Sequence, residues 1–317
     1  MSRMLPPRPF DDPRNGPVIL IQDLLATGFD RRGVQRVIQE QDLVRIRRGA
    51  LVPRALWEAC DEAGQFGLRG RAVLRQARTP LILSHTSGLP EFDAPVWGFD
   101  LSAVHTTRTD GLSGRRAPDV HQHEARVGPG DMVVRNGVPV MNAARIALEA
   151  VIEGGPEAGL CVANHMVHCG LTTPEKLSTQ YVGMENRRGS RPIEIVLRLV
   201  DGKIESIGES RTLWCCFQHH LPLPVVQYEV RDEHGRLIAR LDFAWPRFGV
   251  FLEFDGLVKY EKLLRPGERA SDVVIRERNR EREVCRITGW RCIRITWADL
   301  ARPQRLAAMI RSELMAP

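Results

Sequence analysis

Two apolar runs near the C-terminus, Ile238 to Ala244 and Phe248 to Gly256, constrain this chain more than any other stretch. They are separated by Trp245-Pro246-Arg247 and are rich in β-branched and aromatic residues, so they read as adjacent strands. Both carry acids where an ordinary core strand carries none. On the second strand a period of two places Glu253 and Asp255 on one face and Leu252 and Phe254 on the other. If the strands pair, Asp242 meets Glu253, and clustered carboxylates repel unless a cation lies between them. A hard divalent ion such as Mg²⁺ prefers oxygen-only ligation of this kind. The competing reading is an exposed hairpin with ordinary surface acids.

With 317 residues the chain exceeds a comfortable single core, so two or three domains are expected. Its 43% hydrophobic and 26% charged residues are those of a globular protein. No run is long enough to span a bilayer, and Met1-Ser-Arg-Met-Leu-Pro-Pro lacks a signal-peptide apolar region, so a cytoplasmic location is expected. A net charge of +6 permits a polyanionic partner, and arginine carries most of the positive charge. Arginine suits bidentate phosphate and base contacts, although an arginine bias also arises in GC-rich genomes. The seven cysteines are an odd count without a paired framework, which points to reduced thiols. Cys161, His165, His168 and Cys169 have helical spacings, but they lie in an apolar helical run where Cys is common core filler. His121-Gln-His123 is a weaker metal candidate still.

Residues 16–60 have the order of a winged helix. Val18 to Ala26 carries a helical apolar face and stops at Thr27-Gly28. Asp30 is placed to cap a second helix, in which Val34, Val37 and Ile38 form the buried stripe. Arg31, Arg32, Gln35 and Arg36 then face outward, toward a DNA major groove. In the following hairpin, alternation buries Val44 and Ile46, exposes Arg45 and Arg47, and turns at Arg48-Gly49. These wing arginines are positioned for phosphates or the minor groove; a helix-hairpin module with solvated arginines is the alternative.

Residues 61–185 mix short strands and helices, with Asn142 capping a helix that begins at Ala143. They hold no phosphate loop, nucleophile elbow or catalytic triad, and their function is not readable. Gly183 to Pro192 is glycine-rich and basic and marks a boundary, so a third domain is expected over 190–317. It runs helix (193–201), helix (208–219), strand (225–230), the acidic pair, an arginine-rich helix (272–287), strand (290–297) and a last helix. The expected class is α+β: a winged helix, a mixed α/β middle segment, and a C-terminal mixed sheet flanked by helices.

Gly208-Glu-Ser-Arg, Leu241-Asp-Phe-Ala-Trp-Pro, Glu253-Phe-Asp-Gly, Arg276-Glu-Arg-Asn-Arg-Glu-Arg and Gly289-Trp-Arg-Cys-Ile-Arg-Ile-Thr-Trp, taken in order, resemble the PD-(D/E)XK nuclease superfamily. The closer likeness is to its very-short-patch-repair-endonuclease-like branch, over about residues 190–315. The resemblance implies a restriction-endonuclease-like sheet in which Asp242 and Glu253 hold Mg²⁺ or Mn²⁺, with Glu209 a helical acid nearby. Such a metal activates a water and neutralises charge growing on a phosphate. Arg276, Arg280 and Arg294 would hold phosphates, although a solvated face interleaved with Glu277, Glu281 and Glu283 explains most such arginines. One departure stands out: the superfamily places lysine two residues after the acid, and here that residue is Asp255. Lys259 is the candidate replacement cation. Otherwise Asp255 is itself a ligand, or the fold persists without cleavage.

Asp23-Leu-Leu-Ala-Thr-Gly, Asp30-Arg-Arg-Gly-Val and Leu43-Val-Arg-Ile-Arg-Arg-Gly-Ala-Leu-Val-Pro resemble the start of AbiEi-type antitoxins. Leu83-Ser-His-Thr-Ser-Gly and Val138-Pro-Val-Met-Asn-Ala-Ala-Arg extend that likeness to about residue 180. It implies promoter binding, autorepression and a cognate toxin as partner. Three functions are therefore expected as alternatives: a metal-dependent DNA endonuclease, an antitoxin-like regulator with an inactive nuclease-like domain, and a protein-interaction module.

Overall fold

The N-terminal residues fold largely as their alternation of apolar and basic positions requires. Strand β1 (Ile19–Leu20) leads into helix α1 (Ile21–Ala26) and, after a turn, α2 (Arg31–Glu40). Gly28 takes φ +98° in that turn, a backbone conformation that costs a side chain strain. Asp30 caps α2 by accepting the Gly33 N–H at 2.7 Å, as expected. Strands β2 (Leu43–Arg47) and β3 (Ala50–Pro53) follow, and the sheet order is β1-β3-β2, all antiparallel. The run Val18–Leu20 is thus not helical. Ile19 and Leu20 pair with Leu51 and Ala50, and Val18 and Leu20 enter the core with Val52 and Ala72. Burial on a sheet overrides their helical spacing.

The structure is a computed structural model that describes residues 6–9, 11–256 and 270–316, with the side chains of 270–278 left aside. The chain divides into two compact units, Met1–Val200 and Asp201–Pro317. In the first, α3 (Arg54–Glu58) and α4 (Glu62–Gln76) connect the small sheet to a six-stranded one. That sheet contains β4 (Leu81–Leu83), β5 (Val104–Arg108), β6 (Arg116–Ala117), β7 (Val120–Glu124), β8 (Met132–Arg135) and β9 (Val138–Met141). Its order is β6-β7-β5-β4-β9-β8, with β5–β7 and β4–β9 parallel and the other pairs antiparallel. Helix α5 (Ala143–His168) starts at its expected cap, Asn142, and is broken at Gly155. Then come α6 (Pro174–Val182) and α7 (Ile193–Leu199).

The sequence reading assigns 193–199 to the C-terminal domain. In the structure α7 packs on α5 with Ile193, Val196 and Leu199 buried, and the division falls after Val200. Charges are buried in this unit only where they are paired. Arg145, 1% exposed, meets Glu149 at 2.9 Å and Asp131 at 2.5 Å, and Arg71 meets the fully buried Glu91 at 2.9 Å.

The second unit opens on α8 (Ile207–Gln218). It continues through β10 (Val225–Arg231), β11 (Leu237–Trp245), β12 (Val250–Phe254), α9 (Ala270–Thr288), β13 (Arg291–Ile295), α10 (Trp297–Leu300) and α11 (Pro303–Met315). The four strands lie in sequence order. β10, β11 and β12 are antiparallel neighbours, and α9 returns the chain so that β13 runs parallel to β12. Leu241, Ala244, Phe251 and Val284 form its core, with Tyr228 and Trp290 packed against them. The fold is α+β, as expected. All seven cysteines are free thiols.

Candidate functional site

The acidic strands are not an exposed hairpin. Every residue of β12 is buried, and Asp242 and Glu253 are only 7% and 8% exposed. The ladder pairs Phe243 with Leu252, so Asp242 and Glu253 occupy the next facing positions. Asp242 Oδ2 accepts the Phe254 N–H at 2.9 Å. Glu253 faces Arg280, whose guanidinium approaches to 3.5 Å. Asp255 lies 3.5 Å from Arg294, which also pairs with Glu281 at 2.6 Å. Lys259 lies outside the described residues, as does the side chain of Arg276.

Glu209 is hydrogen-bonded at the start of α8. It occupies the N-terminal turn of α8, where its own N–H binds the cap Ser206 Oγ. Its carboxylate accepts from Glu205 N–H at 3.0 Å, Ser206 Oγ at 2.7 Å and Gln227 Nε2 at 3.0 Å. A carboxylate only 2% exposed is tolerated because donors surround it, and the helix N-terminus favours its charge. Gly208 beside it allows α8 to sit directly on Phe254; a Cβ there would fall 2.2 Å from that ring. Glu209, Asp242 and Glu253 do not form a set of metal-ligand atoms within 4.8 Å of one another. Glu209 therefore does not join Asp242 and Glu253 in one ligand set, and these two remain the facing carboxylates of the sheet.

On α2 the expected face forms. Arg31, Arg32, Gln35 and Arg36 are exposed while Val34 and Val37 are buried. The three arginines make no ion pair among the described residues, and neither do the exposed Arg45 and Arg48. Arg47 departs from expectation: it pairs with Asp119 at 2.9 Å and hydrogen-bonds Gln76. The cause is a bulge. Arg45 faces Leu51 but Arg47 faces Ala50, so Ile46 is an extra residue and the alternation is lost. Arg47 thereby joins a cleft of about 640 Å³ that Arg78, Arg115 and Arg116 also line.

The first unit holds a histidine cluster of which only His123, in the weak candidate His121-Gln-His123, was singled out from the sequence. His85, His105 and His123 bring ring nitrogens within 4.8 Å of one another, the one such set among the described residues. His105 Nδ1 and His123 Nε2 are 3.0 Å apart, and the rings of His85 and His123 stack with centroids at 3.8 Å. Burial, together with His85 and His121, pushes His105 down to about 4. Burial, together with His85 and His105, pushes His123 down to about 3. Both rings are thus neutral near pH 7. Beneath them Glu149 is fully buried; burial alone would raise its carboxyl, but His85 and Arg145 hold it below the usual range. By contrast, Cys161, His165, His168 and Cys169 do not gather as a metal set; His165 Nε2 instead meets the Phe92 carbonyl at 3.3 Å.

No family model matches the chain. It is similar to two Mycobacterium tuberculosis proteins, the uncharacterized protein Rv2248 of strain H37Rv and the uncharacterized protein MT2308 of strain CDC 1551 / Oshkosh. Each is 33% identical over 129 residues, covering 40% of this chain and 44% of the relative. The chain therefore spans less than half the length of the curated relatives it matches. Among the described residues, no helix is long and apolar enough to cross a membrane.

Proposed function

We propose that the chain is a cytoplasmic DNA-binding protein of the regulator type, whose α2 enters a major groove while the β2–β3 hairpin contacts phosphates. The observation that carries this is the outward face of Arg31, Arg32, Gln35 and Arg36, anchored by buried Val34 and Val37. Arg45 and Arg48 on the hairpin, with Arg78, Arg115 and Arg116 in the adjoining cleft, extend the positive surface. In this reading the C-terminal unit is a nuclease-like domain that holds DNA without cutting it. Glu209 is spent on a helix cap, and Arg280 and Arg294 neutralise Glu253 and Asp255. The likeness to AbiEi-type antitoxins extends the proposal to autorepression with a cognate toxin as partner.

Fluorescence anisotropy on promoter DNA across a salt series tests the DNA-binding step. The double variant Arg32→Ala/Arg36→Ala is expected to weaken binding and flatten the slope of log K against log salt by about 0.9 per lost phosphate contact. Unchanged affinity and slope would exclude α2 as the contact element.

A metal-dependent nuclease is the second reading, favoured by Asp242 and Glu253, buried at facing strand positions. Nicking of plasmid DNA in Mg²⁺ or Mn²⁺, lost in both Asp242→Ala and Glu253→Ala, would replace the regulator assignment with this one.

A further inference from the structure

We propose that His85, His105 and His123 form a binding site for a borderline divalent transition metal, Zn²⁺ foremost, in the first unit. The three side chains come from three separate elements. His85 follows β4 at the start of the tight 3-10 turn 85–92, His105 is on β5, and His123 is on β7. The parallel β5–β7 pairing sets His105 opposite His121, and His123 lies two residues further on the same face.

The arrangement is built rather than incidental. His85 takes φ +52°, in the left-handed region, and its N–H is held by Glu149 Oε2 at 2.9 Å. The His105 N–H is likewise held by Ser87 Oγ at 2.7 Å. His85 Nδ1 is occupied by Ser84 Oγ at 3.1 Å and faces Glu149 Oε2 at 3.5 Å, which leaves Nε2 for the cluster. A carboxylate behind a ligating imidazole orients the ring and raises its basicity.

The spacing also fits. Nitrogens on a tetrahedral Zn²⁺, each about 2.0–2.1 Å from the metal, stand roughly 3.3 Å apart. His105 Nδ1 and His123 Nε2 already approach to 3.0 Å, so a small opening of the pair admits the ion. The ligand type selects the metal: imidazole suits Zn²⁺, Co²⁺, Ni²⁺ and Cu²⁺, and Mg²⁺ prefers oxygen. Three protein nitrogens leave a fourth position. Glu153, whose Oε2 is 3.9 Å from His105 Nδ1 and partly exposed, stands on that side for a carboxylate or a bound water to complete the sphere.

The test uses the untagged chain, freed of metal by chelator and titrated with Zn²⁺ against a chromophoric competitor. Co²⁺ absorption then reads the ligand type. One equivalent per chain is expected, with Co²⁺ bands of tetrahedral nitrogen and oxygen coordination and no thiolate charge transfer. His105→Ala and His123→Gln should each weaken Zn²⁺ by at least about a hundredfold, whereas His121→Gln, beside the cluster, should leave it unchanged. Because the wild-type Co²⁺ spectrum needs no variant, it stands even if a substitution disturbs folding. Failure to bind Zn²⁺, a thiolate spectrum, or equal affinity in His105→Ala and His123→Gln would overturn the site and leave a hydrogen-bonded imidazole stack. None of these outcomes depends on DNA binding.

Discussion

The carboxylates of the C-terminal unit and the histidines of the N-terminal one behave in opposite ways. Asp242 and Glu253 stand out along the chain, and in the fold they are buried at facing positions, Asp242 accepting a backbone N–H and Glu253 beside an arginine. Along the chain only His123 of the three drew notice, as part of the weak pair His121-Gln-His123, and in the fold the ring nitrogens of His85, His105 and His123 converge. The difference teaches that residue type at a strand position predicts burial and face, whereas ligation depends on where second partners fall. In the C-terminal unit those partners are the helix-end donors around Glu209 and the Arg280 guanidinium beside Glu253. Around the histidines they are Glu149, Ser84 and Ser87, which hold backbone and ring and leave nitrogens to share.

Substitutions can break this contrast. The largest effect is expected on the histidine side: Glu149→Ala removes one of the two carboxylates paired with Arg145, 1% exposed, and releases the His85 N–H. A cost of about 3–5 kcal/mol is expected for a buried pair broken from one side, read as a fall in unfolding free energy by urea titration. In the C-terminal unit, Gly208→Ala pushes a Cβ against Phe254 and is expected to cost about 1–3 kcal/mol by the same measurement. A neutral Gly208→Ala would show that α8 can slide on β12.

Glu209→Gln should cost less, about 0.5–1.5 kcal/mol, since one amide oxygen still accepts from the donors around it. It should leave DNA affinity unchanged, and a large loss of binding would return Glu209 to the functional site. A separate effect is acidic. Asp12 is held at about 2, from an ordinary 3.8, by its hydrogen bonds to Arg14. A depressed carboxyl stabilises the fold above its ordinary value, so this contribution is lost as the pH falls from about 4 toward 2. In Asp12→Asn the thermal midpoint should lose that part of its acid dependence.

Local patterns made much of the molecule legible. The outward arginines of α2, its Asp30 cap, the Asn142 cap and the paired strands of 238–256 follow from spacing and capping chemistry, which involve residues a few positions apart. Nothing local revealed that 18–20 would be drawn into a sheet, that a bulge at Ile46 would turn Arg47 toward Asp119, or that α7 would pack on α5.

Which faces of the helices and strands are apolar, basic or acidic follows from residue order, because side-chain direction repeats with a fixed period. Only the packed fold settles which polar groups meet. His85, His105 and His123 are brought together by the pairing of β5 with β4 and β7, and Glu209 and Gln227 by the packing of α8 near β10. Those distances depend on strand order and register, which no periodicity within a segment encodes.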